Sequence, residues 1–410
     1  MENERLYPIG IQTFPEIIEG NYLYVDKTAL IYRLVNRTKY VFLSRPRRFG
    51  KSLLVSTIQA YFEGRKDLFK NLAMTNLEKD WIKYPVLRVD LSNEDYLHLK
   101  SLVVKIKSIL RDWENSFGLP PVDDPDEEDS LGTRFARIIK HLHTVSGQPV
   151  VVLIDEYDKP LLDSLHDDSL HDEMKSKLHG FYSTLKNCDE FIRFALLTGV
   201  TKFTHVSIFS GLNNLKDISL NPDYNAICGI SESEFKDNFA ESVSDFSKAT
   251  GWTEEQVWQA FKYNYDGYHF SGNSEGVYNP FSILWAFDDH RIGHYWFASG
   301  TPSFLGEAMR KYNYNLSDIE GGKFTESQLS DISKPDKDYH ALFFQAGYLT
   351  VKGFEPATLG RIPGRVIPEK YTLGFPNMEV KSGFWNSLYT QYVFHDKPSA
   401  EFDSEKFIEE

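Results

Sequence analysis

Tyr40-Val41-Phe42-Leu43-Ser44-Arg45-Pro46-Arg47-Arg48-Phe49-Gly50-Lys51-Ser52-Leu53-Leu54 is the stretch that decides the fold. It begins with a short apolar, β-rich run and passes through a loop that carries three arginines. The segment that follows places apolar residues at helical spacing, at Leu54, Ile58, Tyr61 and Phe62. The stretch therefore predicts a strand, a loop and a helix, with Gly-Lys-Ser at the start of the helix.

This order is the one that a Walker A loop requires. Backbone N–H groups and the positive end of the helix face a polyphosphate, Lys51 reaches the β- and γ-phosphates, and the Ser52 hydroxyl reaches Mg²⁺. Gly50 lets the backbone approach the phosphates closely. The usual first glycine of the motif is Arg45 here, so Gly-Lys-Ser alone fits a basic loop before an ordinary helix equally well. The predicted nucleotide-binding residues are Arg45, Pro46, Arg47, Arg48, Phe49, Gly50, Lys51, Ser52 and Leu53.

A second motif supplies the carboxylates that such a loop needs. Five consecutive apolar residues, 150–154, precede Asp155 and Glu156. Such a run is typical of a strand buried on both faces of a parallel sheet, and ligands of open α/β sheets bind at the carboxyl edge. The motif has the form of a Walker B element, in which Asp155 holds Mg²⁺ through water and Glu156 orients and deprotonates the attacking water. The alternative, that the pair only caps the helix after it, is disfavoured by the Gly-Lys-Ser loop upstream.

A further apolar run, 191–197, predicts the strand that follows the Walker B strand. Thr198 stands at its tip and is the best candidate for a catalytic sensor of the γ-phosphate or the attacking water. Thr201 is the second candidate. A turn-forming threonine without such a role fits the sequence equally well.

The rest of the chain predicts an α/β fold with additional units. Strands at 85–91 and 218–220 complete an alternation of strands and helices that indicates a doubly wound parallel sheet. The helix at 27–35 is expected to have Asp26 as its N-cap. Beyond residue 222 the pattern is helical, with helices predicted at 231–239, 254–261, 280–287 and 302–312. The predicted organisation is a P-loop ATPase core (1–222), a helical lid (223–320), a small winged-helix-like α+β unit (321–385) and a linker (386–410).

Composition limits the classes of function. The chain has 410 residues, with 45 Lys and Arg against 59 Asp and Glu, a net charge of −14. A protein that binds nucleic acid or anionic membranes with its whole surface is therefore excluded. The two cysteines lack metal-type spacing, which argues against a disulfide framework or a zinc site. The N-terminus lacks the features of a signal peptide, and no apolar run approaches the ~20 residues of a membrane span, so a cytoplasmic protein is expected.

The sequence resembles the bacterial AAA-ATPase-like family, whose members join a P-loop ATPase to a C-terminal nuclease-like domain of the PD-(D/E)XK superfamily. The Arg-Pro-Arg-Arg-Phe-Gly-Lys-Ser form is usual in that family, so Arg45 in place of glycine is a family trait. The resemblance rests on Tyr24-Val25-Asp26-Lys27-Thr28, Ser44 to Ser52, Leu153 to Pro160, Leu197 to Phe203, Ser210 to Leu215, Tyr278 to Phe281 and Tyr371 to Asn377.

The resemblance implies an ASCE-type, Mg²⁺-dependent ATPase core that couples its nucleotide state to a C-terminal nuclease-like effector or to a partner. The nuclease-like domain would begin near residue 410, so the chain is expected to be an ATPase part or an ATPase-only member. Glu379-Val380-Lys381 mimics the E-x-K of that superfamily, but it coincides with the family's linker and is rejected as catalytic.

Two alternatives to an ATP hydrolase stay open at this point. One is a nucleotide-binding switch or scaffold that does not hydrolyse its ligand. The other is a nucleic-acid-binding module of a defence or mobile-element system, for which Arg361, Arg365 and Lys370 offer a local basic group. Arg47 or Arg48 could serve the phosphates of their own chain or those of a neighbouring subunit, so a homo-oligomer or a protein partner is also consistent with the sequence.

Overall fold

The computed structural model describes residues 6–120, 131–203, 214–300, 319–330, 332 and 339–392. The helix predicted at 302–312, the Ser210–Asn213 part of the family motif and residues 393–410 of the predicted linker lie outside the described residues.

A five-stranded, all-parallel sheet forms the centre of the protein, with strand order β2-β3-β4-β1-β5. Its strands are β1 (Tyr40–Ser44), β2 (Val86–Asp90), β3 (Val150–Asp155), β4 (Ile192–Gly199) and β5 (Lys216–Asp217). The predicted parallel α/β sheet is confirmed, and it is compatible with a P-loop fold. The fifth strand, predicted at 218–220, lies two residues earlier, at Lys216–Asp217. The ladder ends there because the N–H of Ser44 donates to the hydroxyl of Ser219 at 2.8 Å instead of to a backbone carbonyl.

The register of the sheet brings the carboxyl ends of four strands to one edge. Ser44 of β1 lies opposite Gly199 of β4, and Asp90 of β2 lies opposite Asp155 of β3. All six residues of β3 are buried, as expected for a β-branched strand covered on both faces. The segments that leave β1, β3 and β4 therefore meet at this edge.

Nine helices belong to the described part of the sheet-containing region. They are α1 (Phe14–Glu19), α2 (Thr28–Arg37), α3 (Lys51–Phe62), α4 (Ala73–Leu77), α5 (Leu99–Ser116), α6 (Leu131–Ser146), α7 (Lys159–Asp163), α8 (Asp168–Tyr182) and α9 (Thr184–Asn187). Helix α3 is the most deeply buried, and it packs against β3 and β4.

The start of α2 differs slightly from the prediction. The helix begins at Thr28, so Lys27 and not Asp26 occupies the N-cap position. The carboxylate of Asp26 still accepts the backbone N–H and the hydroxyl of Thr28, at 2.8 and 2.6 Å. Its second oxygen accepts the N–H of Ala73, so Asp26 ties this helix to α4 instead of only capping it.

A helical unit follows the sheet and has its own aromatic core. It comprises β6 (Ile230–Ser231), α10 (Glu232–Thr250), α11 (Glu254–Tyr265), β7 (Val277–Tyr278), α12 (Pro280–Asp288) and α13 (Tyr295–Gly300). Capping boxes at Ser231 and Thr253 set the starts of α10 and α11. The rings of Phe261 and Phe287 stack at 4.2 Å in the core. The helices predicted at 231–239, 254–261 and 280–287 are present, and a lid function of the unit stays a prediction.

The last described segments form a small α+β unit. It contains β8 (Lys323–Phe324), α14 (Glu326–Ser330), α15 (Tyr339–Ala346), β9 (Thr350–Glu355), β10 (Thr358–Leu359), β11 (Val366–Ile367), β12 (Lys370–Gly374) and α16 (Met378–Tyr392). Strands β8, β12 and β9 form an antiparallel sheet, and β10 pairs with β11 in a hairpin. The predicted order of helix, strand, long turn and strand is present, while the winged-helix assignment and the predicted domain limits stay predictions.

Within the described ranges, the helices do not combine the length and the apolar character that crossing a membrane requires.

Candidate functional site

The loop between β1 and α3 presents an open helix end. Gly50 is the N-cap of α3 and has a φ of 89°, a left-handed conformation that glycine adopts without strain. No side chain caps this end of α3, although the first turn of a helix has N–H groups without intrahelical partners. A Cβ added to Gly50 would meet no atom within 4 Å, so the space in front of it is open.

Lys51, the first residue of α3, folds back across the loop. Its ammonium group donates hydrogen bonds of 3.0 Å to the backbone carbonyls of Arg45 and Pro46. The side chain is almost wholly buried, at 5% exposure. The two carbonyls accept from two of its three N–H groups, and the loop residues 45–50 contain no carboxylate that would balance its positive charge.

Arg45 turns its guanidinium away from the loop and into the protein. It donates to the carbonyls of Ser44, Ser219 and Tyr224 at 2.9, 2.7 and 3.1 Å, and it lies 4.1 Å from the ring centre of Phe270. Burial lowers its pKa to about 10. The side chain thus fastens the end of β1 to the segment after β5, and only the backbone of Arg45 is available to a ligand at the loop.

A cleft of about 380 Å³ opens in front of α3. Four cationic side chains line it, together with a single carboxylate, that of Glu156. The cations are Arg47, Arg48, Lys51 and Lys159. Ser52 and Leu53 also line the cleft, so the structure brings six of the predicted nucleotide-binding residues, including Gly50, to one surface with Glu156.

Two segments that the sequence analysis did not connect with the site complete the cleft. One is the N-terminal stretch with Pro8 and Gln12, and the other is the first turn of α12 with Pro280 and Phe281. The guanidinium of Arg48 lies 5.0 Å from the ring centre of Phe281, a cation–π distance. Neither segment carries a spacing pattern that could have identified it.

Asp155 lies at the end of β3, behind Glu156. Its Oδ1 accepts a hydrogen bond of 2.7 Å from the Thr198 hydroxyl and one of 3.1 Å from the backbone N–H of Glu156. Its Oδ2 lies 3.7 Å from the guanidinium of Arg88. Asp155 is 1% exposed and does not line the cleft. Thr198 is fully buried, so its hydroxyl positions Asp155 in this state of the protein.

Glu156 projects into the cleft from a strained backbone. Its φ is 50°, a left-handed conformation that is uncommon outside glycine. Burial raises the pKa of its carboxyl group above the ordinary value, and the charges of Lys51 and Arg47 act in the opposite direction. A raised pKa makes a carboxylate a stronger base than an ordinary glutamate, which suits it to accept a proton.

Asp158 is a site residue that the sequence analysis did not single out. Its Oδ2 accepts the backbone N–H of Val200 at 3.0 Å, and the backbone N–H and hydroxyl of Thr201 at 2.6 Å each. It therefore holds the segment after β4 against the segment after β3. In the sequence, the only indication of a role for Asp158 is its place in the Asp-Glu-Tyr-Asp pattern of residues 155–158.

A second, apolar cavity of about 100 Å³ adjoins the cleft. The two share wall residues from the loop, from the N-terminal segment and from α12: Pro8, Gly50, Leu53, Pro280 and Leu284. Most of the remaining wall is aliphatic or aromatic, with Lys27 as an exception that is ion-paired with Glu234.

Together, the parallel sheet and the Gly-Lys-Ser loop at its carboxyl edge define an α/β protein compatible with the P-loop class. A family model described as "Predicted AAA-ATPase" matches residues 8–209, and the chain belongs to this family. A protein of Azotobacter chroococcum mcd 1, described as "Uncharacterized protein in vnfD 5'region", is 37% identical over 388 residues. The match covers 94% of this chain and 70% of that relative.

Proposed function

We propose that the protein binds Mg-ATP in the cleft in front of α3 and hydrolyses the β–γ anhydride. The observation that carries this proposal is the convergence of Lys51, Ser52 and Glu156 on one cleft from the ends of two different strands. A lysine and a hydroxyl at a helix start opposite a carboxylate are the groups that a P-loop hydrolase uses.

The phosphates fit the uncapped start of α3. Its free N–H groups and the positive end of its dipole favour an anion in front of Gly50. Arg47 and Arg48 add positive charge to the same cleft. In this proposal Lys51 exchanges the carbonyls of Arg45 and Pro46 for phosphate oxygens, which are charged and therefore stronger acceptors.

The metal ion is proposed to be held by Ser52 and Asp155. Among the described residues, no group of three or more His, Cys, Asp or Glu side chains could hold a metal ion. Mg²⁺ in nucleotide sites needs only one or two protein ligands, because phosphates and water complete its octahedron. The fit is supported by Asp155, whose Oδ1 is oriented by two donors while its Oδ2 has only the longer Arg88 contact. A bound Mg²⁺ would neutralise charge on the phosphate oxygens.

The proposed catalytic groups are Glu156, Lys51 and Thr198. Glu156 orients a water molecule and accepts its proton, for which its raised pKa is suited. Lys51 stabilises the charge on the phosphates. Thr198 acts through Asp155 in the observed geometry, so its direct contact with the γ-phosphate stays a prediction.

The nucleoside is proposed to occupy the apolar cavity beside the cleft. The cavity lies against Leu53, at the start of α3, and its wall is mostly hydrophobic. An aromatic base buries apolar surface there while the charged phosphates stay at the cationic cleft.

Steady-state turnover and isothermal titration calorimetry test the proposal. Wild type is compared with Lys51→Ala, Glu156→Gln and the control Lys100→Ala, which removes an exposed lysine from α5. Lys51→Ala should weaken binding by about 10- to 100-fold, since hydrogen bonds between charged groups are lost. Glu156→Gln should bind ATP without turning it over.

The outcomes separate the functions. Equal turnover in all four proteins would contradict the ATPase proposal. Tight ATP binding by wild type without product would instead support the non-hydrolysing switch or scaffold. Salt-sensitive DNA binding that is lost on changing Arg361 and Arg365 would support the nucleic-acid-binding module.

A further inference from the structure

The loop between β1 and α3 (residues 45–50), which we call the phosphate loop, is hydrogen-bonded to a tryptophan from the helical unit. The indole Nε1–H of Trp296, on α13, donates to the backbone carbonyl of Arg47 at 2.9 Å. Trp296 is fully buried and packs edge-on against the ring of Tyr348 at 5.4 Å. The contact thus fixes the loop backbone at the residue that follows Arg45 and Pro46, whose carbonyls accept from Lys51.

The same tryptophan is held by a carboxylate at the start of α16. The backbone N–H of Trp296 donates to Oε1 of Glu379 at 2.7 Å, and the hydroxyl of Ser282 donates to Oε2 at 2.8 Å. Ser282 belongs to the first turns of α12, the helix that lines the cleft. Glu379 is 1% exposed, and its two hydrogen bonds join α16 to α12 and α13 inside the protein.

A close backbone approach reinforces this connection from the C-terminal unit. Gly347 follows α15 with a φ of 92°, and a Cβ placed there would lie 2.6 Å from the Cβ of Pro46. The loop is therefore backed by two segments of distant sequence. A change in its backbone at residues 45–47 would therefore disturb at least one of these contacts, because packed interiors do not deform continuously.

We propose that Trp296 is a positioning residue that couples the phosphate loop to α16 through Glu379. The inference rests on the proposed nucleotide function. When a triphosphate draws Lys51 away from the carbonyls of Arg45 and Pro46, the adjacent Arg47 carbonyl shifts with them. Trp296 transmits that shift to the Glu379 carboxylate and so to the start of α16. As a result, the conformation at the start of α16 depends on whether a nucleotide is bound at the phosphate loop.

Hydrogen–deuterium exchange with and without Mg-ATPγS tests the coupling. Trp296→Phe removes the indole N–H and keeps most of the ring, while Trp113→Phe makes the same change on α5, where Trp113 packs against Phe135. Glu379→Met removes the hydrogen bonds of Glu379 to Trp296 and Ser282, and it provides a second test if Trp296→Phe does not fold. Glu379→Gln is the conservative variant, because an amide can still accept from Trp296 and donate to Ser282.

In wild type, Trp113→Phe and Glu379→Gln, nucleotide should slow exchange in residues 50–54 and change it in residues 378–384. In Trp296→Phe and Glu379→Met, the first effect should remain and the second should disappear. Affinity in Trp296→Phe should fall by at most about tenfold, as expected for one neutral hydrogen bond. A nucleotide response of α16 that persists in both broken variants overturns the coupling alone. Absence of nucleotide binding in wild type overturns the proposed function and the coupling together.

Discussion

The Thr198 hydroxyl donates a 2.7 Å hydrogen bond to Asp155, and this bond joins the ends of two neighbouring parallel strands. Thr198→Val keeps the shape and removes the donor. We expect a loss of about 1–3 kcal/mol in the free energy of unfolding, because a buried carboxylate loses a partner. We also expect a higher Mg²⁺ concentration for half-maximal turnover, since Asp155 is less well oriented. Chemical denaturation and a Mg²⁺ titration measure the two effects.

Thr201→Val is the matched control for that prediction. Its hydroxyl donates at 2.6 Å to Asp158, which is also buried. The loss of stability should be similar, but the Mg²⁺ requirement should change less than in Thr198→Val. An equal shift of the Mg²⁺ requirement in both variants would contradict the role assigned to Asp155.

The raised pKa of Glu156 predicts how turnover depends on pH. A general base acts when it is ionised, so kcat/KM should rise with pH through a limb that lies above the ordinary glutamate value of 4.5. Glu156→Gln should remove the limb and lower kcat by about 100-fold or more. Glu173→Gln, an exposed change on α8, should preserve the wild-type profile. A limb at or below 4.5 would argue against Glu156 as the base.

Glu379 predicts a separate pH dependence of stability. Burial raises its pKa from 4.5 to about 7. Between these values the unfolded chain has lost the proton while the folded protein keeps it, so stability falls as pH rises from 4.5 to 7. The contribution is about 3 kcal/mol at most. Glu379→Gln should flatten this part of the curve and be the more stable protein at pH 8.

Urea denaturation at several pH values measures that difference. Glu241→Gln, which changes an exposed residue of α10, is the control and should follow the wild-type curve. If Glu379→Gln parallels wild type from pH 4.5 to 8, the buried carboxyl group does not titrate as inferred.

Gly347→Ala should destabilise the protein and disturb the loop. The new Cβ would be strained by the left-handed backbone conformation and would also lie 2.6 Å from the Cβ of Pro46. Gly251→Ala, at the end of α10, has a similar φ of 76° but nothing within 4 Å of the added Cβ, so it isolates the backbone strain of about 1–2 kcal/mol. The excess loss in Gly347→Ala and its weaker ATP binding measure the contact with Pro46. Equal effects of both variants would mean that this contact is not tight.

The sequence was sufficient to predict four of the five strands of the sheet and the convergence of Lys51, Ser52 and Glu156. The reason is local: each motif follows an apolar strand, and the carboxyl ends of parallel strands share an edge. It also indicated the family, which the comparison confirms. The metal and nucleotide roles of these residues stay predictions.

The remaining contacts of the site could not be predicted in the same way. Trp296 and Pro280 reach the loop from segments more than 200 residues away, and tertiary packing leaves no spacing pattern in either segment. Arg45 is predicted among the nucleotide-binding residues of the loop, whereas its guanidinium donates to three backbone carbonyls inside the protein. Strand β5 ends earlier than predicted because the hydroxyl of Ser219, and not a backbone carbonyl, accepts from the N–H of Ser44. Strand propensities do not contain information on such a side-chain contact.

The hydrogen bonds of Lys51 to its own loop set a condition on any anion that would bind in front of α3. Such an anion would have to compete with the carbonyls of Arg45 and Pro46, which already accept from the ammonium group. The oxygens of a multiply charged anion are stronger acceptors than neutral carbonyls. We therefore expect neutral or singly charged molecules to gain little from this exchange, and polyanions to be selected before a catalytic group contributes.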